Sequence, residues 1–560
     1  MPSDPALREA IRQRLKSFDE ERFGERLWRR DPTLWKDDPE HKKIIANALG
    51  WLTVPEAMRA KAGDLAGFAA EVAGDGYTDA VLLGMGGSSL APQVLRATFG
   101  VEPGFLDLRV CDSTDPAAVH GVEDEIDLSR TLFIVSSKSG GTTETASFHA
   151  YFYDRVRTVV GDDQVGRHFI AITDPDTSLH KQALEQRFRA VFLNPADIGG
   201  RYSALSYFGL VPAALIGLDL ERLLAHAVQV AQSCGDGAQA AQNPALKLGA
   251  ALGELARGGR DKITFFLSPS IASFGAWLEQ LIAESTGKEG TGMLPIDGET
   301  PGPPAVYGDD RVFVYLHVSG EPDARTKATL HELGQAGHPT MALPMPDVWD
   351  IGGEFLRWEI AVAAAGAVLG IDPFDQPNVQ ESKDNTRRLL RDYVAGGRLP
   401  DIAGPDGRKP SVGAGDDALP AALRELLGAA REGDYIAIQA YVPPTEADQR
   451  ILQGLRMLLR DRLGLATTLG YGPRFLHSTG QLHKGGKPNG LFLQLTCGAP
   501  HDLEIPGEPY TFGVLKQAQA RGDLEALVSR GLRVLQVDLG DEALPGLTAL
   551  GAAVSDLLRG

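Results

Sequence analysis

Cysteine is scarce in this chain, which has only Cys111, Cys234 and Cys497 among its 560 residues. The three stand far apart and lack the spacing of metal ligands, so neither a disulfide scaffold nor a zinc site is expected. Such cysteine usage is typical of proteins from a reducing compartment. The first residues are rich in charge and lack the apolar core of a signal peptide, and a cytoplasmic location is therefore predicted.

Long hydrophobic runs and an excess of positive charge are also missing. The most apolar long stretch, 204–218, is interrupted by Pro212 and is shorter than the ~20 residues of a membrane-spanning helix, which favours a buried helix. The chain has 55 Lys and Arg against 74 Asp and Glu, for a net charge of −19. A dispersed negative field repels nucleic acid and anionic membranes, so neither is expected as a partner. Any anionic ligand must be held by a local site.

What is present is the composition of an ordinary globular protein, with 43% apolar and 23% charged residues. Apolar strand-like runs alternate with helix-length segments, the pattern of parallel sheets covered by helices, and the predicted fold class is α/β. We expect a helical segment at 1–70, α/β domains at 71–240 and 241–395, a Gly- and Pro-rich linker at 396–420, and an additional α/β module at 421–560. The three α/β units are compatible with distant copies of one architecture.

Two strand-to-helix loops carry groups that bind anions. Gly84-Met-Gly-Gly-Ser-Ser89 follows the apolar run 80–83, and Ser136-Ser-Lys-Ser-Gly-Gly-Thr-Thr-Glu-Thr145 follows the run 132–135. Backbone N–H groups and hydroxyls at a helix start can hold a phosphate. The first loop alone is a common Gly-Ser turn, whereas the second places four hydroxyls and a lysine at one corner, more donors than a simple turn needs. Together the two loops predict a sugar phosphate ligand.

Three side chains further along the chain have the chemistry of a catalytic site. Arg201 follows paired glycines in Gly199-Gly-Arg-Tyr-Ser203. Gln280 and Glu284 lie four residues apart, on one face of a predicted helix that ends before Gly287. Each also has an ordinary interpretation, a surface ion pair for the arginine and a solvated carboxylate for the glutamate. Position alone does not decide between them.

Five motifs taken in order resemble the signatures of one enzyme family. They are the two loops, Gly199-Gly-Arg-Tyr-Ser203, Glu284-Ser-Thr-Gly-Lys288 and Pro373-Phe-Asp-Gln-Pro-Asn-Val-Gln-Glu-Ser-Lys383. Over about 300 residues they resemble glucose-6-phosphate isomerase. The resemblance implies two SIS-type (sugar isomerase) α/β/α sandwich domains with parallel sheets and an active site between them. It also implies reversible conversion of glucose 6-phosphate to fructose 6-phosphate through ring opening and a cis-enediol, with no metal and no organic cofactor.

The resemblance also implies the role of each site residue. Glu284 matches the base that moves a proton between C1 and C2, Arg201 the residue that stabilises the enediolate, and Lys383 a residue near the ring oxygen and phosphate. Ser139 stands where many members have Thr, a change that keeps the hydroxyl. The residues implied to bind the substrate are Gly87, Ser88, Ser137, Lys138, Ser139, Thr142, Thr145, Gln280 and Gln376.

The chain departs from the family pattern at a histidine. Family members usually place a ring-opening His shortly after the base, and nothing between Glu284 and Lys383 matches. The match is Leu476-His-Ser-Thr-Gly-Gln481 in the C-terminal module, so His477 is the implied ring-opening residue, with His338 as an alternative. In dimeric members this His comes from the neighbouring subunit. We hypothesise that the extra module supplies it from the same chain, which would relax the need for a dimer. Either a monomer or a homodimer is compatible with this hypothesis.

The stretch Leu27-Trp-Arg-Arg-Asp-Pro-Thr-Leu-Trp35 and the enlarged C-terminal part look like the isomerase half of transaldolase/glucose-6-phosphate isomerase fusion proteins. The chain lacks room before residue 70 for a transaldolase barrel, so no transaldolase activity is expected. Two alternatives to the simple isomerase stay open: a dual phosphoglucose/phosphomannose isomerase, and a SIS-type protein that binds sugar phosphates without chemistry. A scaffolding role stays open for 420–560 alone.

Overall fold

The computed structural model of this chain describes residues 4–235, 237–404, 407 and 409–559. Residues 405, 406 and 408 of the predicted linker lie outside the described residues, as do 1–3, 236 and 560. Three parallel sheets are found in the described part, each in its own segment of the chain. The predicted α/β class is confirmed.

Strands at the centre of each sheet are buried at nearly every position, as is typical of parallel sheets covered on both faces, and several edge strands are more exposed. Fourteen strands are found among the described residues. In the first sheet they are β1 Asp79–Gly84, β2 Asp107–Cys111, β3 Thr131–Ser136, β4 Phe169–Thr173 and β5 Ala190–Leu193. In the second sheet they are β6 Lys262–Leu267, β7 Leu294–Ile296, β8 Arg311–Val318 and β9 Thr340–Met345. In the third sheet they are β10 Ser411–Gly413, β11 Tyr435–Tyr441, β12 Ala466–Tyr471, β13 Gly490–Thr496 and β14 Arg533–Asp538.

The three sheets share one strand order. Their orders are β2-β1-β3-β4-β5, β7-β6-β8-β9 and β12-β11-β13-β14-β10. Each therefore contains the succession 2-1-3-4, with Val81 opposite Phe133 in the first sheet and Ile436 opposite Leu491 in the third. In the third sheet, the edge position that β5 fills in the first is taken by β10, which comes before the other four strands in the chain. The three units are copies of one architecture at the level of topology.

Helices make up most of the rest. Before β6 they are α1 Pro5–Glu20, α2 Phe23–Trp28, α3 Pro39–Ala46, α4 Val54–Arg59, α5 Ala62–Gly74, α6 Leu90–Phe99, α7 Pro116–Asp124, α8 Thr143–Val160, α9 Ser178–Glu185, α10 Tyr207–Leu215, α11 Leu220–Ser233 and α12 Pro244–Arg257. After β6 they are α13 Phe274–Thr286, α14 Ala324–Gln335, α15 Ile351–Leu369, α16 Val379–Gly396, α17 Leu419–Gly428, α18 Glu446–Leu463, α19 Gly480–Gly485, α20 Phe512–Ser529 and α21 Ala543–Arg559. Within the described residues, none of them has the length and apolar character needed to span a membrane.

The first, second and third units are the parts of the chain built around β1–β5, β6–β9 and β10–β14. The third unit packs directly on the other two. It has a core of its own around Leu452 and Leu493. The ring of Phe512, on α20, stacks on Phe148 of the first unit with centroids 6.0 Å apart. Leu294 and Phe492 belong to one apolar cluster that joins the second and third units. Elements of the third unit are therefore held against the first two by buried apolar surface.

Most predicted strands and the predicted buried helix are confirmed. The strand-like runs at 80–83 and 132–135 are β1 and β3, and the apolar stretch 204–218 contains the buried helix α10. The predicted linker at 396–420 contains β10, a strand that was not foreseen, in which Val412 pairs with Val537. A three-residue strand is too short to show a period of two. The domain boundaries themselves stay a prediction.

Candidate active site

The loop after β1 packs among three other motifs. A Cβ added to Gly87 would lie 2.1 Å from the carbonyl oxygen of Gly200, so this glycine allows close contact with the loop that carries Arg201. Gly86 has φ +53° and its α-carbon faces Gln280 and His477. The buried Ser88 accepts a hydrogen bond at its carbonyl oxygen from the hydroxyl of Ser136, 3.0 Å away, which ties the first loop to the second.

The second loop presents hydroxyls at the N-terminus of α8. Oγ of Ser137 and Oγ1 of Thr142 are 3.0 Å apart, and Ser139 and Thr142 line a cleft of about 410 Å³. Thr145 is buried, and its Oγ1 has no hydrogen-bond partner among the described residues. Lys138 turns away from this cleft, because its ammonium contacts Asp174 and the carbonyl oxygen of Ala196. The resemblance implies a phosphate contact for Lys138, whereas here its ammonium is engaged outside the cleft.

Glu284 and Arg201 form a buried pair. Oε1 of Glu284 lies 3.5 Å from Nη1 of Arg201, and the two side chains are 9% and 2% exposed. Nε2 of Gln280 donates to Oε2 of Glu284 at 3.1 Å, as expected for positions four apart on one helix face. Neither the solvated carboxylate nor the surface ion pair describes these residues, because both are buried.

Arg201 is fixed by the loop that precedes α16. Its Nη2 donates to the carbonyl oxygens of Pro373 and Asp375 at 2.6 and 2.9 Å, and its Nη1 donates to Oε1 of Gln376 at 3.1 Å. Its Nε donates to Oγ of Ser285 at 2.7 Å. Such a guanidinium is preorganised, since it has no freedom to reorient when charge develops beside it.

His477 reaches this site from the third unit. It ends the short 3₁₀ helix Arg474–His477, and its carbonyl oxygen accepts from Nε2 of Gln280 at 2.7 Å. Its Nε2 lies 3.0 Å from Oε1 of Glu144, in the second loop. His477 also lines the same cleft as Ser139, Thr142, Gln376 and Lys383. His338 lies outside this cleft, with its ring edge-on to Tyr307 and Phe313.

Sequence reasoning missed Glu144 and Gln519. Oε1 of Glu144 accepts from Nε2 of Gln519, on α20, at 2.7 Å. Burial alone would raise the pKa of Glu144, but the electrostatic attraction and hydrogen bond of His477 and the charge of Lys383 outweigh it and lower the pKa overall. An ionised carboxylate only accepts, so Nε2 of His477 is the donor and Nδ1 is left for proton exchange. The carboxylate within the hydroxyl-rich motif was a signal for Glu144, whereas nothing in the sequence pointed to Gln519.

Together, the hydroxyls at the start of α8, the pair Glu284–Arg201 and His477 can hold an anion and move protons beside it.

A family model described as phosphoglucose isomerase matches residues 55–301. The glucose-6-phosphate isomerase of Synechococcus elongatus is 29% identical over 66% of this chain and 76% of its own length. That of Rubrobacter xylanophilus is 31% identical over 56% of this chain and 83% of its own.

Solved structures agree on the fold. A hypothetical protein of Thermus thermophilus superposes with a TM-score of 0.60 at 26% identity, over 69% of this chain and 97% of its own. A glucose-6-phosphate isomerase of Chlamydia trachomatis superposes with a TM-score of 0.51 at 22% identity, over 66% of this chain and 78% of its own, which speaks to the fold alone. The extent of the match to the Rubrobacter enzyme, together with the matching family model, shows that this chain belongs to the phosphoglucose isomerase family.

Proposed function

We propose that this protein reversibly interconverts glucose 6-phosphate and fructose 6-phosphate, the activity for which its relatives are named. One observation supports it above the others: a buried carboxylate, Glu284, lies 3.5 Å from a buried and fully held guanidinium, Arg201. A base beside a fixed cation is what proton transfer through an enediolate needs.

The phosphate binds in this proposal at the start of α8. The hydroxyls of Ser137, Ser139, Thr142 and Thr145 and the N–H groups of the first helical turn supply the donors. The partnerless hydroxyl of Thr145 supports this position, because a buried hydroxyl without a partner is costly unless a ligand completes it. Lys138 contributes its main chain rather than its ammonium, which Asp174 already engages.

Ring opening is assigned to the groups around His477. Opening the sugar ring adds a proton to the ring oxygen and removes one from the C1 hydroxyl. Nδ1 of His477 takes the proton of the C1 hydroxyl and delivers it to the ring oxygen, while Glu144 holds Nε2 and stabilises the imidazolium that forms in between. Lys383, which lines the same cleft, supports the charge near the ring oxygen and phosphate.

Isomerisation of the open sugar then needs one base. Glu284 takes the proton from C2, and the electron pair moves to give a cis-enediolate whose negative charge lies on the oxygens of C1 and C2. Arg201 stabilises that charge. The hydroxyl proton passes from the oxygen of C2 to the oxygen of C1, and Glu284 returns the carbon-bound proton to C1. This yields the ketose, and the enzyme ends the cycle with its protons unchanged.

No observation favours the alternatives. A protein that only binds sugar phosphates has no use for a buried base beside a fixed arginine. A dual phosphoglucose/phosphomannose isomerase would use the same base, and no described residue points to the second substrate. The third unit does more than provide a scaffold in this proposal, since His477 belongs to it. The sugar phosphate is therefore handled at a site built by one chain, and we propose that a monomer is active, in the cytoplasm, where the three free cysteines would stay reduced.

A coupled assay of fructose 6-phosphate conversion tests the proposal. Wild type should turn over, and Glu284→Gln should lose roughly 10³-fold or more of the rate and of the solvent deuterium exchange at C2, because the amide cannot take the proton. Glu332→Gln, on the exposed face of α14, is the matched control and should behave as wild type. A folded wild type that binds sugar phosphate without turnover would favour the binding protein, and conversion of mannose 6-phosphate would favour the dual isomerase.

A further inference from the structure

One histidine and two aspartates lie close together at the loop 372–376, whose backbone accepts hydrogen bonds from Arg201. They are His41 on α3, Asp372, and Asp375 in the loop before α16. One potential ligand atom from each lies within 4.8 Å of the other two. From this cluster we propose a divalent-cation site, of the kind that takes Zn²⁺ or Co²⁺, which links the N-terminal helices to the loop at 372–376.

Asp38 prepares the histidine for such a role. Its carboxylate oxygens lie 3.0 and 2.9 Å from Nδ1 of His41, and its side chain also caps α3 by accepting from the backbone N–H of His41. A carboxylate that accepts from one imidazole nitrogen leaves the lone pair of the other available for a metal, the usual arrangement around metal-binding histidines. Nε2 of His41 faces Asp375, with 3.8 Å between it and Oδ2.

Asp372 supplies the second, independent observation. Its side chain is fully buried, and Oδ1 accepts from the backbone N–H of Phe374 at 2.8 Å. Its Oδ2 has no hydrogen-bond partner among the described residues. A buried carboxylate oxygen without a partner is costly, and a cation between it and His41 would remove that cost.

Asp375 can serve the cation and the active site together. Its Oδ1 accepts from Nζ of Lys288 at 2.6 Å, while Oδ2 is the oxygen that faces His41. Its main-chain carbonyl oxygen accepts from Arg201 and Lys288. A bound cation would therefore hold the backbone that positions the arginine, without breaking the lysine contact.

One imidazole and two carboxylates suit a metal ion of intermediate hardness, which binds both nitrogen and oxygen ligands. Mg²⁺ prefers oxygen ligands and keeps its waters, whereas Zn²⁺ and Co²⁺ accept nitrogen and oxygen together. Tetrahedral ligands about 2.0–2.1 Å from Zn²⁺ lie about 3.3 Å apart. Nε2 of His41 and Oδ2 of Asp375 are 3.8 Å apart, and the three ligand atoms lie within 4.8 Å of one another, so the site must contract around the ion. The side chain of His41 is 32% exposed, which gives the ion a path. A water would complete the coordination.

The site departs from the expectation, drawn from sequence, that the chain holds no metal. Its ligands come from segments more than 300 residues apart, and only folding brings them together. The competing interpretation is an ion pair in which a protonated His41 bridges Asp38 and Asp375. The cation is structural in our proposal, since none of its ligands lines the sugar cleft.

Titration of chelator-treated full-length protein with Zn²⁺, followed by calorimetry, tests the site, and Co²⁺ adds a visible absorption spectrum as a second readout. We expect one equivalent to bind, Mg²⁺ not to compete, and the thermal unfolding midpoint to rise with Zn²⁺. His41→Gln and Asp372→Asn should abolish this binding, and Asp38→Asn should weaken it roughly 10–100-fold. Asp372→Asn keeps the acceptor for the N–H of Phe374, so it should fold.

His120→Gln is the matched control. His120 also pairs through Nδ1 with an aspartate, Asp124, at 2.8 Å, but it belongs to no three-ligand cluster found among the described residues. This variant should bind Zn²⁺ as wild type does. Equal Zn²⁺ uptake by wild type and His41→Gln, or no uptake by wild type, would overturn the proposal in favour of the ion pair. None of these readouts depends on isomerase activity.

Discussion

Nε2 of His477 lies 3.0 Å from Oε1 of Glu144, although the two residues are 333 positions apart in the chain. The histidine belongs to the third α/β unit and the glutamate to the first. The contact explains why a histidine motif displaced along the sequence can still serve the cleft: the third unit is packed so that the 3₁₀ helix Arg474–His477 enters the site formed by the other two.

The first prediction concerns this pair. His477→Ala and Glu144→Gln should each lower the rate with glucose 6-phosphate by roughly 10²–10⁴-fold, because ring opening loses its proton carrier or the group that holds it. Enzyme-catalysed interconversion of the two anomers, followed by NMR, should fall with it. The exposed His501→Ala, in the same unit, should change neither rate. Wild-type anomerisation in His477→Ala would show that another group opens the ring.

The second prediction concerns oligomeric state. Because one chain supplies both Glu284 and His477, the specific activity should not change on dilution, and light scattering should find activity at the mass of one chain. A mixture of Glu284→Gln and His477→Ala should show no more activity than the two variants measured separately. Recovery of activity on mixing would show that His477 crosses to a partner's site, as hybrid sites would then contain both groups.

The third prediction concerns Gly87. An added Cβ would lie 2.1 Å from the carbonyl oxygen of Gly200 and 2.9 Å from the backbone nitrogen of Arg201, and backbone atoms cannot rotate away. Gly87→Ala should therefore displace Arg201 and cost roughly 10²-fold in rate, as small misplacements of catalytic groups do. Gly121→Ala, on α7 where the added carbon meets open space, is the control and should keep full activity. Equal rates for both variants would contradict the close contact.

The fourth prediction concerns Glu359, on α15 in the core. Both carboxylate oxygens lack partners among the described residues, and burial raises the pKa of this side chain well above its usual value. The folded state thus binds the proton more tightly than the unfolded state, whose pKa is about 4.3. The contribution of Glu359 to the free energy of unfolding is fully present below the unfolded-state pKa and is lost as the pH rises toward the raised pKa of the folded state.

Glu359→Gln replaces the protonated acid by a neutral group of similar shape. Its thermal unfolding midpoint should be close to that of wild type at pH 4 and higher at pH 8, equivalent to about 1–3 kcal/mol of added stability. Glu332→Gln, on the surface, should show no such gain. A variant that is less stable than wild type at pH 8 would mean that Glu359 has a partner when ionised.

Much of the fold could be predicted, because it depends on local patterns. Runs such as Ala80-Val-Leu-Leu83 are apolar on both faces and bounded by loops, and they became buried strands of parallel sheets. The strands β2, β7, β9, β10 and β12 were not predicted; several are short or mixed in polarity, so periodicity is weak there. The resemblance to the isomerase half of fusion proteins stays a prediction, as do the roles of the individual site residues.

In the candidate site, too, contacts within one element could be predicted from the sequence, and contacts between distant segments could not. The spacing of Gln280 and Glu284 is set within one helix, and their contact could be read from sequence. The direction of Lys138 could not, because Asp174 competes for its ammonium and lies 36 residues away. Gln519 could not be foreseen either, since its partner Glu144 is brought to it only by the packing of α20 on the first unit.

The sequence by itself determined the family and the chemistry of the donors, because hydroxyls, glycines and a lysine at a helix start depend on neighbouring residues alone. The tertiary structure decided which of those groups face one cleft, that His477 arrives from the third unit of the same chain, and that His41 meets Asp372 and Asp375. The physical reason is the distance along the chain over which each kind of interaction acts. Local spacing fixes secondary structure and helix faces, whereas contacts between segments hundreds of residues apart are set by how buried apolar surfaces pack.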